Sequence, residues 1–225
     1  MFGKNKILKP ENHDGSQLDV QEIFATFQGE GPYVGYPSVF VRLGGCNLAC
    51  DFCDTEFDSF AQMSLDKILA RVAELARDEN ENTIRKLVVI TGGEPLRQPI
   101  ERFCQELIAR GFLVQIETNG TLFRELPPQV KIICSPKNTG TGYHKIRPDL
   151  LARIDAFKFI ISAAKPDYSN IAEVGQSAMQ IPVYLQPMDE YDAEKNRKNT
   201  QKVLELATKY GARVSLQMHK ILEIS

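Results

Sequence analysis

The chain has 225 residues, of which 43% are hydrophobic, and its 27 basic side chains nearly balance 29 acidic ones for a formal net charge of -2. That length and apolar content suffice for one core, and the charge balance argues against a polycationic surface built to hold nucleic-acid phosphates. No apolar run is long enough to span a bilayer and the opening MFGKNKILKPENHDG lacks the apolar stretch of a signal peptide, so a cytoplasmic protein acting on a small molecule, with no membrane or nucleic-acid partner, is expected.

A polar leader occupies residues 1–19. PSVFVRL (Pro37 to Leu43) then reads as a buried strand that delivers the chain into GGCNLACDFCDTEFD. From Ser64, a plausible N-cap, the period becomes helical, with Leu65, Ile68, Leu69, Val72, Leu75 and Ala76 on one face. KLVVI (Lys86 to Ile90) is a short apolar strand ended by TGGEP. Pro99 suits the first turn of a helix whose apolar side is Ile100, Phe103, Cys104, Leu107 and Ile108, and Gly111 suits its end. Asp78 to Asn82 is a solvated turn.

The alternation continues with strands FLVQIE (112–117), VKIIC (130–134), AFKFII (156–161) and IPVYLQP (181–187), a helix over Ala193 to Tyr210, and a last strand RVSLQ (213–217). Short apolar strands interleaved with helices indicate an α/β fold whose parallel sheet has covered faces. About six to seven strands are too few for a closed eight-stranded barrel, so an open, partial TIM-like barrel with helices outside is expected. Ser135 to Arg147 is too polar and glycine-rich for a buried element and reads as a ligand-side loop.

Three of the five cysteines fall within eight residues, as C-x3-C-x2-C at Cys46, Cys50 and Cys53. An odd count in a reducing compartment disfavours a disulfide framework and favours a soft-metal or cluster site. Gly44 and Gly45 let the backbone turn tightly beside an inorganic body, and Leu48, Ala49 and Phe52 can shield it from water. Structural zinc usually requires a fourth ligand, and Cys104 and Cys134 sit in helix and strand patterns where each reads as a small buried apolar residue. A cubane on three thiolates leaves one iron open to an outside chelator. Thr91-Gly92-Gly93-Glu94-Pro95, about forty residues later, reads as a strand end whose backbone passes close to a ligand.

C-x3-C-x2-C after the first strand with GGEP after the next resembles the radical S-adenosylmethionine superfamily. The resemblance implies one [4Fe-4S] cluster on Cys46, Cys50 and Cys53, with S-adenosyl-L-methionine chelating the open iron and being cleaved to a 5'-deoxyadenosyl radical. VQEIFATFQGEGPYVGYPSVFVRLGGCNLACDFCDTEFD, ETNGT, SPK and the closing LQMHK are similar to the 7-carboxy-7-deazaguanine synthases over nearly the entire chain. These are carbon-nitrogen lyases that convert 6-carboxy-5,6,7,8-tetrahydropterin to 7-carboxy-7-deazaguanine in queuosine and deazapurine biosynthesis. Hydrogen abstraction at carbon 6, ring contraction and loss of ammonia are the implied steps.

Carried over on matching positions, the resemblance implies that Gln28 and Glu30 line the pterin pocket, that Arg42 meets the substrate carboxylate, and that His219 faces the substrate. A planar guanidinium suits the carboxylate, while the plain alternative is an ion pair between Glu30 and Arg42. Gln217 is expected beside His219 as its neighbour on the last strand. The resemblance places Gly92, Gly93, Glu94, Glu117, Asn119, Ser135, Lys137 and Gln186 around S-adenosyl-L-methionine, and Thr55 on Mg2+. It also implies a homodimer served by an electron donor such as flavodoxin. The whole chain 1–225 reads as one domain, with 44–60 as its cluster-binding loop. Two other functions remain open on the cysteines alone: an activating enzyme that makes a glycyl radical on a protein partner, and a non-catalytic zinc-binding adaptor.

Overall fold

A computed structural model describes residues 5–50, 52–53, 59–138, 140 and 142–224. Its centre is one sheet of nine strands among the described residues, in the order β3-β1-β2-β4-β5-β6-β7-β8-β9. The strands are β1 (Gln17–Phe27), β2 (Pro37–Leu43), β3 (Ala61–Ser64), β4 (Leu87–Gly92), β5 (Leu113–Thr118), β6 (Lys131–Cys134), β7 (Ala156–Ile161), β8 (Val183–Pro187) and β9 (Arg213–Val214). From β2 to β9 every pairing is parallel, whereas β1 runs antiparallel to both β2 and β3.

The helices are α1 (Leu65–Leu75), α2 (Glu101–Ala109), the single turns α3 (Pro148–Leu151) and α4 (Gln176–Met179), α5 (Ala193–Tyr210) and α6 (Met218–Ile221). Ser64 caps α1 by accepting from the Lys67 N–H, and Asp192 caps α5 by accepting from the Lys195 N–H. At the end of α5, Gly211 adopts φ +66, a left-handed conformation that a side chain would oppose.

Strand periodicity divides the sheet into two chemically different faces. Val39, Val41, Val88, Ile90, Val114, Ile116, Phe157 and Phe159 share one core with Ile68 and Val72 of α1, Phe103 and Leu107 of α2, and Val203 and Leu206 of α5. The opposite face carries Phe40 and Arg42 on β2, Gln115 and Glu117 on β5, and Lys158 and Ile160 on β7. Its own apolar cluster is small, made of Ile133, Ala156 and Tyr184.

The sheet curls so that the segments following its first and last long-range partners meet. The Met218 N–H donates to the Gly29 carbonyl at 3.1 Å, and the Gly31 N–H donates to Ser215 Oγ at 2.9 Å. No strand pairing closes the sheet among the described residues, which therefore stays open. No helix of the described residues is long and apolar enough to cross a membrane.

Several expectations are corrected. Nine strands replace six to seven because β1 and β3 lack the apolar run that marks a strand: β1 mixes polar and apolar residues, and β3 is only AQMS. The leader accordingly ends at Ser16 rather than Asp19, since Gln17 to Asp19 already pair with β3. The last strand is confined to Arg213–Val214, because Ser215 turns its hydroxyl toward the chain after β1 and Gln217 is already the N-cap of α6. Pro99 precedes the helix it was expected to open, which starts at Glu101.

The leader is fastened rather than loose. Its Leu8 N–H donates to the Cys46 carbonyl at 2.8 Å, and its Glu11 carboxylate accepts from Arg97 Nη1 at 2.5 Å. Arg97, 1% exposed, also donates to Asp19 and to the Gly44 carbonyl, so one buried guanidinium ties the leader to the cysteine loop. Arg124 adds a 2.6 Å bond to the Glu11 carbonyl.

Phe103 is fully buried where α2 meets the sheet, whereas Leu204 on α5 is 52% exposed. Phe103→Ala is expected to lower the unfolding free energy by about 3–5 kcal/mol in urea titrations. Leu204→Ala should change it by no more than about 0.5 kcal/mol.

Candidate active site

Open parallel sheets keep their ligand crevices outside the carboxyl ends of the strands. The cleft of this chain lies there, on the polar face, and draws its walls from β1, β2, β4, β5, β7 and β8. It brings together Cys46, Cys50, Cys53, Gly92 and Gly93 with Glu117, Asn119, Ser135, Lys137 and Gln186. Gln28, Glu30, Arg42 and His219 line the same cleft. Thr55 lies outside the described residues, as do Asp51, Asp54 and the other residues of 54–58.

The cysteine end is built by two turns locked to each other. β2 and β4 pair in register with Leu43 opposite Gly92, so both strands release their glycines at one level. The Gly93 N–H donates to the Leu43 carbonyl at 3.0 Å, and the Glu94 N–H donates to the Gly45 carbonyl at 3.1 Å. A Cβ on Gly93 would stand 1.9 Å from the Gly45 oxygen, so only glycine permits this approach.

Glu94 does not line the cleft. It is wholly buried beneath the cleft and accepts from Thr118 Oγ1 at 2.7 Å, the Asn119 N–H at 2.7 Å and the Leu96 N–H at 3.0 Å. Burial nonetheless raises its pKa above the usual carboxylate range, against those three donors. Its visible effect is to orient Asn119, whose amide donates to Asn47 Oδ1 at 3.0 Å and reaches Cys46 Sγ at 4.0 Å.

Burial pushes the Cys46 thiol up to about 12, and the adjacent Glu94, Cys50 and Cys53 charges add to that effect, although the Leu48 N–H opposes it by donating to the sulfur. Three thiolates can therefore coexist here only around positive charge. Among the described residues no three His, Cys, Asp or Glu side chains converge on a single ion-sized centre. A cubane does not ask for that, because each thiolate bonds a different iron. The thiol triplet on one wall, the glycine cradle and the Phe52 ring stacked edge-on against Tyr168 at 4.8 Å fit such a cluster.

The far end of the cleft is a charged network. Lys158 donates to Glu30 Oε2 and, at 2.9 Å, to Glu117 Oε2. Gln217 donates to Glu30 Oε1 at 3.0 Å, while Gln28 and Gln115 donate to Glu117 Oε1 at 3.0 and 3.1 Å. Burial works to raise the Glu30 pKa, but the Lys158 ammonium, the Gln217 amide and the His219 charge outweigh it and hold the carboxyl at about 2. Burial likewise opposes the Lys158 charge, and the Glu117 and Glu30 carboxylates overcome it, holding the ammonium above its ordinary range.

Glu30 thus pairs with Lys158 rather than Arg42. Arg42 lies over the Phe24 ring at 5.1 Å and makes a 3.4 Å contact with the half-exposed Glu22. An exposed pair of this length holds its guanidinium only weakly. His219 sits on α6 with Nδ1 2.6 Å from where a Cβ on Gly29 would be, which accounts for glycine at that position. Lys137 donates to Ser135 Oγ at 2.6 Å, and Gln186 Oε1 accepts from Ser215 Oγ at 3.2 Å.

Lys158 and Gln115 belong to the site although no motif marks them. Each is itself buried within a mostly apolar run, AFKFII and FLVQIE, and a lysine or glutamine so placed requires a polar partner. Cys104 and Cys134 are fully buried apart from the cleft lining, as expected. His13 pairs with Glu11 on the leader, away from the cleft.

The radical SAM superfamily model matches residues 40–160. A protein of Rickettsia prowazekii named 7-carboxy-7-deazaguanine synthase is 55% identical over 224 residues, covering 100% of this chain and 96% of that protein. One of the same name from Rhodospirillum rubrum is 40% identical over 245 residues and covers all of both chains. The crystal structure of QueE from Escherichia coli superposes with a TM-score of 0.73 at 25% identity, covering 93% of this chain and 100% of that one. With its cysteine wall, its locked glycine turns and these relatives, the chain belongs to the radical SAM superfamily and, within it, to the 7-carboxy-7-deazaguanine synthase family.

Proposed function

We propose that this chain converts 6-carboxy-5,6,7,8-tetrahydropterin into 7-carboxy-7-deazaguanine with loss of ammonia, the carbon-nitrogen lyase step toward queuosine and related deazapurines. The observation that carries this reading is the meeting, in one cleft, of a three-thiol wall with a wall bearing Glu30, Arg42 and His219. The name shared by the relatives from Rickettsia prowazekii and Rhodospirillum rubrum supports it.

In this reading Cys46, Cys50 and Cys53 hold one [4Fe-4S] cluster, and S-adenosyl-L-methionine lies among Gly92, Gly93, Glu117, Asn119, Ser135, Lys137 and Gln186. Glu94 acts on it through Asn119. When bound, these groups supply the one-electron cleavage that begins hydrogen abstraction from the substrate. The chain's own work is to bind, orient and keep water out. Gln28 and the Glu30 carboxylate accept from and orient the amino-pyrimidine edge of the pterin, and His219 closes that side from α6. Arg42, held loosely by Glu22 and stacked on Phe24, is available to a carboxylate in the cleft. Leu48 and Phe52 cover the cysteine end with apolar surface.

Mg2+ at Thr55, an electron donor such as flavodoxin and a homodimeric assembly complete the reading on the family's pattern. The curled sheet, bridged by the Gly29–Met218 and Gly31–Ser215 bonds, supports a partial TIM-like barrel formed by one domain over 1–225.

The decisive test is anaerobic incubation of the reconstituted protein with S-adenosyl-L-methionine, reductant and the carboxylated tetrahydropterin. The deazapurine is expected by mass spectrometry; cofactor cleavage without it would leave the superfamily and remove this reaction. Replacing Cys46, Cys50 and Cys53 together by alanine should abolish bound iron and sulfide while the circular dichroism spectrum persists. Arg42→Met should raise KM for the pterin by about 10- to 150-fold, the loss of a charge-assisted bond.

Glu30 also predicts an acid limb. Its folded pKa, about 2, lies below its unfolded value, so its contribution to stability is complete above the ordinary carboxylate range and is lost as pH falls toward 2. Glu30→Gln should remove that part of the slope of unfolding free energy with pH below about 4.5, measured by denaturant titration.

A further inference from the structure

Lys158 has no role in the reading above beyond its two ion pairs, yet it is 5% exposed at the middle of β7 and its flanking residues Phe157 and Phe159 are wholly buried on the other face. Its ammonium is shared between Glu30, assigned to the substrate, and Glu117, assigned to the cofactor. The contacts form a closed ring. Lys158 donates to both carboxylates, Gln28 Nε2 donates to Glu117 Oε1, and the Glu30 N–H donates back to Gln28 Oε1 at 3.0 Å. One buried cation therefore faces two partly buried anions, with Lys137 acting on the ammonium and His219 acting on Glu30.

A shared counter-ion in a low-dielectric site is felt by both partners. When one carboxylate is compensated by another donor, the ammonium turns its attraction to the second, which then becomes a weaker acceptor for its own ligand. We propose that Lys158 is a positioning residue that couples the substrate and cofactor subsites, so that what happens at Glu30 changes the hold of Glu117 on S-adenosyl-L-methionine. The inference rests on the assignment of those two carboxylates given under the proposed function. It assigns to β7 a part in regulating the order and tightness of binding that neither carboxylate has alone.

The test is a mutant cycle read by calorimetric binding of S-adenosyl-L-methionine to the cluster-reconstituted, oxidised protein, without turnover. Glu30→Gln is expected to weaken cofactor binding by about fivefold, the lower end of ordinary coupling between sites. In the Lys158→Met background the same Glu30→Gln change should have no effect, and in the Lys158→Arg background, which keeps the charge, the effect should return. Lys158→Gln replaces Lys158→Met in the cycle if the methionine variant does not fold. An unchanged affinity on Glu30→Gln, or an equal change with and without Lys158, overturns the coupling while leaving the functional reading intact. No binding to the wild-type reconstituted protein overturns that reading and the coupling with it.

Discussion

Everything at the cysteine end depends on how closely two glycine turns approach. Parallel pairing of β2 and β4 places Leu43 opposite Gly92, and the chain then leaves both strands at the same height. Bonds from Gly93 to Leu43 and from Glu94 to Gly45 lock the turns together. Any side chain at position 93 would overlap the Gly45 carbonyl. The thiols are presented from one of these turns, while Thr91, Gly92 and Gly93 supply the neighbouring wall. A rigid cradle costs no reorganisation when charge is redistributed inside it.

Around that cradle, buried charge is used to hold geometry. Arg97 binds the leader, Asp19 and the Gly44 carbonyl beneath the cysteine loop. Glu94 binds Leu96, Thr118 and Asn119 below the cleft floor. Lys158 joins Glu30 to Glu117 at the far wall. Removing one member of any such group would leave a buried partner uncompensated, which is costly in an apolar interior. The three groups come from separate elements, so the cleft is held at both ends and from below.

Much of the fold was legible because apolar periodicity is local. The helical face of Leu65, Ile68, Leu69 and Val72 and the extent of α5 follow from spacing alone. β1 carries no such signal because only part of it is buried: Leu18 and Val20 enter the core while Phe24 and Thr26 line the cleft, and no uniform apolar run results. β9 is shorter than the alternation of RVSLQ implies, because the Ser215 hydroxyl accepts from the Gly31 N–H across the curled sheet. Lys158 stood in plain view within AFKFII, but what it meets lies 128 residues away in Glu30 and 41 away in Glu117.

The residues by themselves determined that this is an α/β chain with a thiol triplet and a glycine turn after successive parallel strands, because spacing and side-chain chemistry need no knowledge of distant contacts. That its motifs are those of a radical enzyme acting on a pterin came from their resemblance to a known family. Only the tertiary structure decided that Glu30 belongs to Lys158 and not to Arg42, that Glu94 works from beneath the cleft, and that the leader is tied to the cysteine loop through Arg97. Such pairings depend on how the sheet curls and which buried charge finds which counter-ion, and long-range geometry of that kind leaves no periodic trace in one dimension.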